Sequence, residues 1–167
     1  FGTTWTRVLD EKDQAWNDIF FVGQNGWLVG EFGQIQRTTD GGQSWSPVSS
    51  PVKNSLMSVH FRDARHGVAV GLAGTVLVSA DGGASWQEAP PLTREHLNCV
   101  IWDGAHWVAV GDKGMRVQAG AEANDWKAGR ISDKDLSWRT QVVRTADDFV
   151  LAGANLAVLH KDELRIL

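Results

Sequence analysis

The chain has 167 residues, of which 43% are hydrophobic and 22% charged, and its formal net charge is −4. This is the size and composition of one ordinary globular domain with its own core. No block of Lys and Arg is dense enough to follow a phosphate backbone, which argues against nucleic acid as a partner. No apolar run approaches the roughly 18–20 residues that a membrane span needs. The single cysteine, Cys99, excludes an internal disulfide and is predicted to be a buried, inert thiol in the apolar run "LNCVIW".

The sequence repeats itself about every 41 residues. Trp5, Trp45, Trp86 and Trp126 are spaced by 40, 41 and 40 residues. A glycine stands fifteen residues before each of the last three tryptophans and another twelve residues before, at Gly30, Gly71, Gly111, Gly33, Gly74 and Gly114. Matches at three spacings in three units indicate a structural repeat.

In chain order, we predict an outer strand over 1–8 and then units over approximately 9–48, 49–89, 90–129 and 130–167, all in one domain. The second unit contains four β-rich runs, at 56–61, 67–71, 75–79 and 86–89, which are separated by turn residues. No stretch of ten residues keeps a helical apolar period, so we expect little helix. Four strands in each unit of about 41 residues predict an all-β fold of about four four-stranded β-propeller blades.

One phrase occurs twice, as "TTDGGQSW" at 38–45 and "SADGGASW" at 79–86. It lies between two predicted strands, so we predict that it forms a hairpin turn. The carboxylate can accept backbone hydrogen bonds, the hydroxyls can fix the turn, and the tryptophan can bury its ring and donate its N–H to a carbonyl. We predict a structural role for this set, with two weaker counterparts in the later units: Thr38, Asp40, Gly41, Gly42, Ser44, Trp45, Ser79, Asp81, Gly82, Gly83, Ser85, Trp86, Trp126 and Asp162.

The phrase resembles the Asp-box, or bacterial neuraminidase repeat. The longer pattern "VG-x-x-G-x-[IV]-x-x-[ST]-x-D-G-G-x-S-W" is similar to the propellers of the photosystem II assembly and stability factors and their bacterial relatives. The likeness is closest at 28–45 and 69–86, partial at 108–126 and weak at 150–167. The resemblance implies a seven-bladed scaffold or assembly factor in a periplasmic, lumenal or secreted location. This chain holds only about four of those units.

Four units leave three architectures open. They can form a small closed ring with help from the N-terminal strand, a fragment of a larger propeller, or a half-propeller that pairs with another chain. Closure matters because it removes exposed strand edges.

No catalytic, metal-binding or cofactor-binding residues are predicted. Sialidases resemble this chain in their Asp-boxes but use a tyrosine nucleophile, and this sequence has no Tyr. Glu31, Asp112 and Glu163 show no spacing that would pair two of them as glycosidase carboxylates. The five histidines have no zinc-ligand spacing, and no glycine loop leads into a helix.

Binding is the better class of function, because the loops between units vary while the framework stays fixed. The candidate partner-binding residues are Arg and aromatic types in or near these loops: Trp16, Arg62, Arg65, Arg94, His96, Arg130 and Trp138. The alternative for each is plain packing or a solvated charge. We expect a protein partner, with a membrane-complex subunit and a second copy of the chain as candidates.

Two further interpretations stay open. One is a carbohydrate-binding or glycosidase-accessory propeller, which would need Trp102 and Trp107 to face outward. The other is a structural piece of a larger enzyme.

Overall fold

Sixteen strands in four antiparallel sheets make up this computed structural model, which describes residues 2–4, 6 and 13–167. Blade 1 contains β1 (Trp16–Val22), β2 (Asn25–Gly30), β3 (Ile35–Thr38) and β4 (Ser46–Val48). Blade 2 contains β5 (Leu56–Phe61), β6 (Gly67–Gly71), β7 (Val76–Ser79) and β8 (Gln87–Glu88). Blade 3 contains β9 (Leu97–Trp102), β10 (Trp107–Gly111), β11 (Met115–Ala119) and β12 (Lys127–Arg130). Blade 4 contains β13 (Arg139–Arg144), β14 (Phe149–Gly153), β15 (Leu156–His160) and β16 (Glu163–Ile166).

Each blade is a meander in which consecutive strands pair, so the all-β propeller fold predicted from the repeat is confirmed. The helical content of the described chain is confined to three 3-10 turns, at 31–33, 72–74 and 112–114. No helix in the described part of the chain is long and apolar enough to cross a membrane. The outer strand predicted over 1–8, including Trp5, falls where residues 1, 5, 7 and 8 lie outside the described residues.

The core lies between the blades. Successive innermost strands, β1, β5, β9 and β13, pack side by side in chain order. Three buried clusters fill the three seams, the first around Trp27 and Phe61, the second around Val68 and Val100, and the third around Val142 with further apolar residues. Strand alternation explains this arrangement, because one side of each sheet faces the preceding blade and the other faces the next.

A hydrogen-bond ladder crosses the seams at one repeated position of the innermost strands. Asp18 Oδ2 accepts a hydrogen bond from Val59 N (2.9 Å), and Ser58 Oγ accepts one from Val100 N (3.2 Å). Cys99 holds the same position in blade 3, bonds the backbone of Val142, and is 4% exposed. Burial raises the pKa of the Cys99 thiol, as expected for an inert buried sulfur.

The two end blades keep one face open. Ile19 and Phe21 on β1, and Val143 on β13, are all exposed by 40% or more. A small closed ring would bury all three side chains against a neighbouring blade. The four blades of the described chain therefore form an open arc, and the small-ring alternative does not describe this structure.

Candidate partner-binding face

Antiparallel topology divides the connections between two faces of the arc. We call one the loop face; it carries the loops between blades and the turns between the second and third strand of each blade, at 31–34, 49–55, 72–75, 89–96, 112–114, 131–138 and 154–155. We call the other the Asp-box face; it carries the remaining turns, at 23–24, 39–45, 62–66, 80–86, 103–106, 120–126, 145–148 and 161–162. A partner that lies on one face therefore cannot contact residues that belong only to the other.

The two full Asp-boxes form nearly identical turns. In the first, Thr38 Oγ1 donates to Asp40 Oδ1 (2.7 Å) and accepts from Gly42 N (3.1 Å). Ser44 donates to Asp40 through its amide (3.0 Å to Oδ1) and through its hydroxyl (2.5 Å to Oδ2). Bonds from Ser44 and Thr38 hold the pKa of the Asp40 carboxyl well below its usual range. The turn thus satisfies its own carboxylate and presents no free acid for chemistry.

The second Asp-box repeats these contacts. Ser85 donates to Asp81 through its amide (2.9 Å) and its hydroxyl (2.6 Å), and Ser79 Oγ accepts from Gly83 N (2.9 Å). Burial acts to raise the pKa of Asp81, but the bonds from Ser85 and Ser79 outweigh it and the net shift is downward. Trp86 is 6% exposed, and its indole N–H has no hydrogen-bond partner, contrary to the carbonyl contact expected.

The later units have lost the box. Trp126 donates its indole N–H to Ala123 O (2.8 Å), and Asp125 accepts from Gly120 N (2.7 Å) in place of the usual carboxylate. In blade 4 the turn shrinks to Lys161 and Asp162, because His160 pairs directly with Glu163. Asp162 therefore does not close an Asp-box turn as its counterparts Asp40 and Asp81 do, and its carboxylate instead contacts Arg116 Nη1 at 2.9 Å.

The loop face has a fixed backbone and variable side chains. In every blade, the residue after the repeat glycine donates its amide to the carbonyl of the residue before the innermost strand, at 2.9–3.1 Å. The accepting residues are Ala15, Ser55, His96 and Trp138. One backbone geometry thus presents four different side chains at the inner end of the face, which is the arrangement expected of a recognition surface.

Apolar side chains stand out of this face. Phe32, in the turn after β2, is 63% exposed, Leu136 57% and Trp138 48%, whereas Trp16 is half-buried. Phe32 also has a φ of 56°, an uncommon backbone conformation for a bulky residue. Phe32 and Leu136 were not identified from the sequence, although the turn glycine next to Phe32 marks its position.

A cationic group lies on the same face. Glu95 accepts hydrogen bonds from Lys113 Nζ (3.3 Å) and Arg130 Nη2 (3.4 Å). The bond from Lys113 is the largest cause of the lowered pKa of Glu95. Arg94 is exposed and makes no ion pair with any residue that the structure describes. The cluster of three cations and one carboxylate therefore has an excess of positive charge.

The predicted partner-binding residues do not all come together. Trp16, Arg94, His96, Arg130 and Trp138 lie on or beside the loop face, whereas Arg62 and Arg65 lie on the Asp-box face. His96 uses Nδ1 to accept a hydrogen bond from Ala73 N (3.0 Å).

Arg62 and Arg65 differ in their surroundings. The side chain of Arg62 is only 14% exposed; it donates to Ala121 O (2.5 Å) in blade 3 and lies over the Trp102 ring at 5.4 Å. Arg65 is exposed and reaches only Ala80 O, at 3.5 Å. Arg62 therefore joins two blades, and Arg65 alone of the pair is available to a partner.

The sequence also missed a buried arginine beneath the loop face. Arg139 is 1% exposed, and its guanidinium contacts Asp135 Oδ2 (2.5 Å) and Asn155 Oδ1 (2.5 Å). These bonds fix the loop that carries Leu136 and Trp138. No sequence pattern distinguishes this arginine from an exposed one.

Two other classes of site receive little support from the geometry. Trp107 is 1% exposed and Trp102 is half-buried under Arg62, so they form no open platform for a sugar. No group of three or more His, Cys, Asp or Glu in the described ranges could hold a metal ion.

Solved structures share this fold at low sequence identity. YCF48 bound to a D1 peptide is 22% identical, with a TM-score of 0.71 over 99% of this chain and 59% of the other. YCF48 from Cyanidioschyzon merolae is 18% identical, with a TM-score of 0.73 over 97% of this chain and 59% of the other. The computationally designed Ika4 protein is 12% identical, with a TM-score of 0.72 over 98% and 99% of the two chains.

The chain thus spans about three fifths of the length of the two YCF48 chains. None of the curated proteins matches its sequence. The family model of the photosynthesis system II assembly factor YCF48 matches residues 43–147, which is more than half of the chain and includes the second Asp-box. The chain therefore belongs to the family of the photosynthesis system II assembly factor YCF48.

Proposed function

We propose that this chain is a non-catalytic assembly module that binds an extended protein segment on its loop face. The observation that carries the proposal is the contrast on that face between a backbone bond repeated in every blade and side chains that differ in each. Family membership supports an assembly role, and the YCF48 relative bound to a D1 peptide supports a protein ligand.

The chemistry of the face suggests the chemistry of the segment. Trp138, Leu136 and Phe32 offer large exposed apolar surfaces, and Arg94 adds a cation without a partner among the described residues. Arg and Trp dominate interface energies when a partner desolvates them. We therefore expect a segment with apolar side chains and acidic groups, from a subunit of a membrane complex. A periplasmic, lumenal or secreted location belongs to the same proposal.

The test is isothermal titration of the chain with the D1 peptide. We expect Trp138→Ala and Arg94→Ala each to weaken binding about tenfold or more, which corresponds to about 1.4 kcal/mol. Arg65→Ala is the matched control, because it removes an exposed arginine from the opposite face and should leave the affinity unchanged. Added salt should weaken wild-type binding more than that of Arg94→Ala.

Two outcomes would contradict the proposal. Loss of affinity in Arg65→Ala, with the loop-face variants unaffected, would place binding on the Asp-box face. Absence of any binding heat or fluorescence change with the wild-type chain would remove this peptide class as the ligand.

A further inference from the structure

The same inner-strand position is buried in three blades and open in the first. Ile19, Val59, Val100 and Val142 hold equivalent places in the register of each innermost strand. Val59, Val100 and Val142 are each 2% exposed because the preceding blade covers them, whereas Ile19 is 51% exposed. The front face of blade 1, which we define by Ile19, Phe21 and Leu28, therefore has the geometry of a blade seam without its covering blade.

The opposite contrast marks the other end of the arc. Ile35 and Val76, at the start of the third strand, are each 2% exposed under the next blade, whereas their counterpart Leu156 is 48% exposed. Val143 on β13 is 57% exposed on the same side of the sheet. We define the back face of blade 4 by Gln141, Val143 and Leu156.

The hydrogen-bond ladder also ends at this face. Asp18, Ser58 and Cys99 each bond the backbone of the next blade, and Gln141 is the next residue in that series. Gln141 is exposed and carries a side-chain amide that can form the same kind of bond. Its position repeats the side of the seam that supplies the side-chain partner.

We propose that two copies of this chain associate head to tail, so that the front face of each packs on the back face of the other in an eight-bladed ring. Each copy carries both halves of a seam that it already forms three times internally, and a head-to-tail contact that closes satisfies both open faces. The designed Ika4 protein, matched over 99% of its length, has the same fold in a chain of the same size. The contact leaves the loop face free, so this proposal is independent of peptide binding.

The test is the mass of the 167-residue chain in solution, by light scattering coupled to size exclusion at 1–100 µM. We expect about twice the 18.3 kDa of one chain. Ile19→Glu and Val143→Glu should each give the mass of one chain with an unchanged thermal midpoint, because both side chains already face solvent in the single copy. Leu136→Glu, which is 57% exposed on the loop face, is the matched control and should remain a dimer.

A mixing experiment separates this arrangement from any symmetric contact. The Ile19→Glu chain keeps an intact back face, and the Val143→Glu chain keeps an intact front face. Mixed together, they should form a 1:1 heterodimer through one seam, although neither self-associates. If either variant fails to fold, Leu156→Glu replaces Val143→Glu, and Leu28→Glu replaces Ile19→Glu.

Several results would overturn the proposal. They are a wild-type mass of one chain throughout the concentration range, a dimer that survives both face variants, a series of open-ended oligomers, or a mixture that stays monomeric. A single-chain mass would leave the open faces to further blades of a longer chain.

Discussion

The indole ring of Trp27 in blade 1 lies flat against the ring of Phe61 in blade 2, with 3.4 Å between ring centroids and 8° between planes. Its N–H donates to Gly82 O (2.9 Å) in the second Asp-box. The Asp-box face is therefore part of the seam between blades as well as a set of hairpin turns, and its residues are tested below as seam residues.

Gly83 should tolerate a methyl group much less well than Gly42, its counterpart in the first Asp-box. A Cβ at Gly83 would lie 2.2 Å from Trp27 Nε1, whereas a Cβ at Gly42 would meet nothing closer than 3.5 Å. Both glycines have positive φ, so the backbone strain is shared. We expect Gly83→Ala to lower the free energy of unfolding by about 2–4 kcal/mol and Gly42→Ala by about 1 kcal/mol, measured by urea denaturation. Equal losses would mean that the Trp27 contact is not tight.

Arg62 should contribute to stability and not to binding. Its guanidinium bonds Ala121 O and Glu122 and lies over Trp102, so it joins blades 2 and 3. We expect Arg62→Ala to cost about 1.5–3 kcal/mol in urea denaturation. Arg62→Lys should recover little, because an ammonium cannot make the same set of planar contacts. An unchanged denaturation midpoint in Arg62→Ala would show that these contacts contribute nothing.

His60 should make the protein less stable as the pH falls from 6.5 to 4. Burial lowers the pKa of His60 to about 4 against the opposing effect of Asp18, and its ring packs 4.2 Å from that of Phe20. The neutral form is favoured by folding, so the stabilisation is present above the unfolded pKa and is lost as the pH falls toward 4. Since the ring keeps some contact with water, we expect a loss of about 1–2 kcal/mol. His60→Phe should flatten the stability profile in this interval; a parallel profile would contradict the assignment.

The Asp-box carboxylates should act in a lower pH interval. The pKa of Asp40 and that of Asp81 are both lowered, so each favours folding above the unfolded value of about 3.9 and loses that effect as the pH falls through its folded value. Thermal midpoints of wild type, Asp40→Asn and Asp81→Asn should therefore converge below pH 3 and differ most at pH 7. A difference that is constant between pH 7 and pH 2 would show that ionisation plays no part.

The repeat predicted the fold well because it records a local arrangement. Glycine spacing and strand alternation depend on neighbouring residues, so the four blades and the family followed from sequence positions such as Gly71 and Trp86. The decay in the last unit was harder to interpret. Counting back from the end of the chain placed Asp162 with Asp81, but strand pairing leaves only a two-residue turn there.

The candidate site was less predictable because it depends on contacts between blades. Arg62 and Arg65 are three residues apart in one loop, yet one is held by blade 3 and the other faces solvent. Arg139 looks like a surface residue in the sequence and is buried against Asp135 and Asn155. Only the packing of distant segments distinguishes these arginines.

The pairing of Trp27 with Gly83 has a consequence for the order in which blades can follow one another. At the second seam the same two positions hold Val68 and Ala123, a smaller side chain opposite a larger one. A permuted chain with blade 3 directly after blade 1 would place the indole against the methyl group of Ala123. Near-identical repeats are open to out-of-sequence docking, and this exchange of volume across the seams allows only one succession of neighbours.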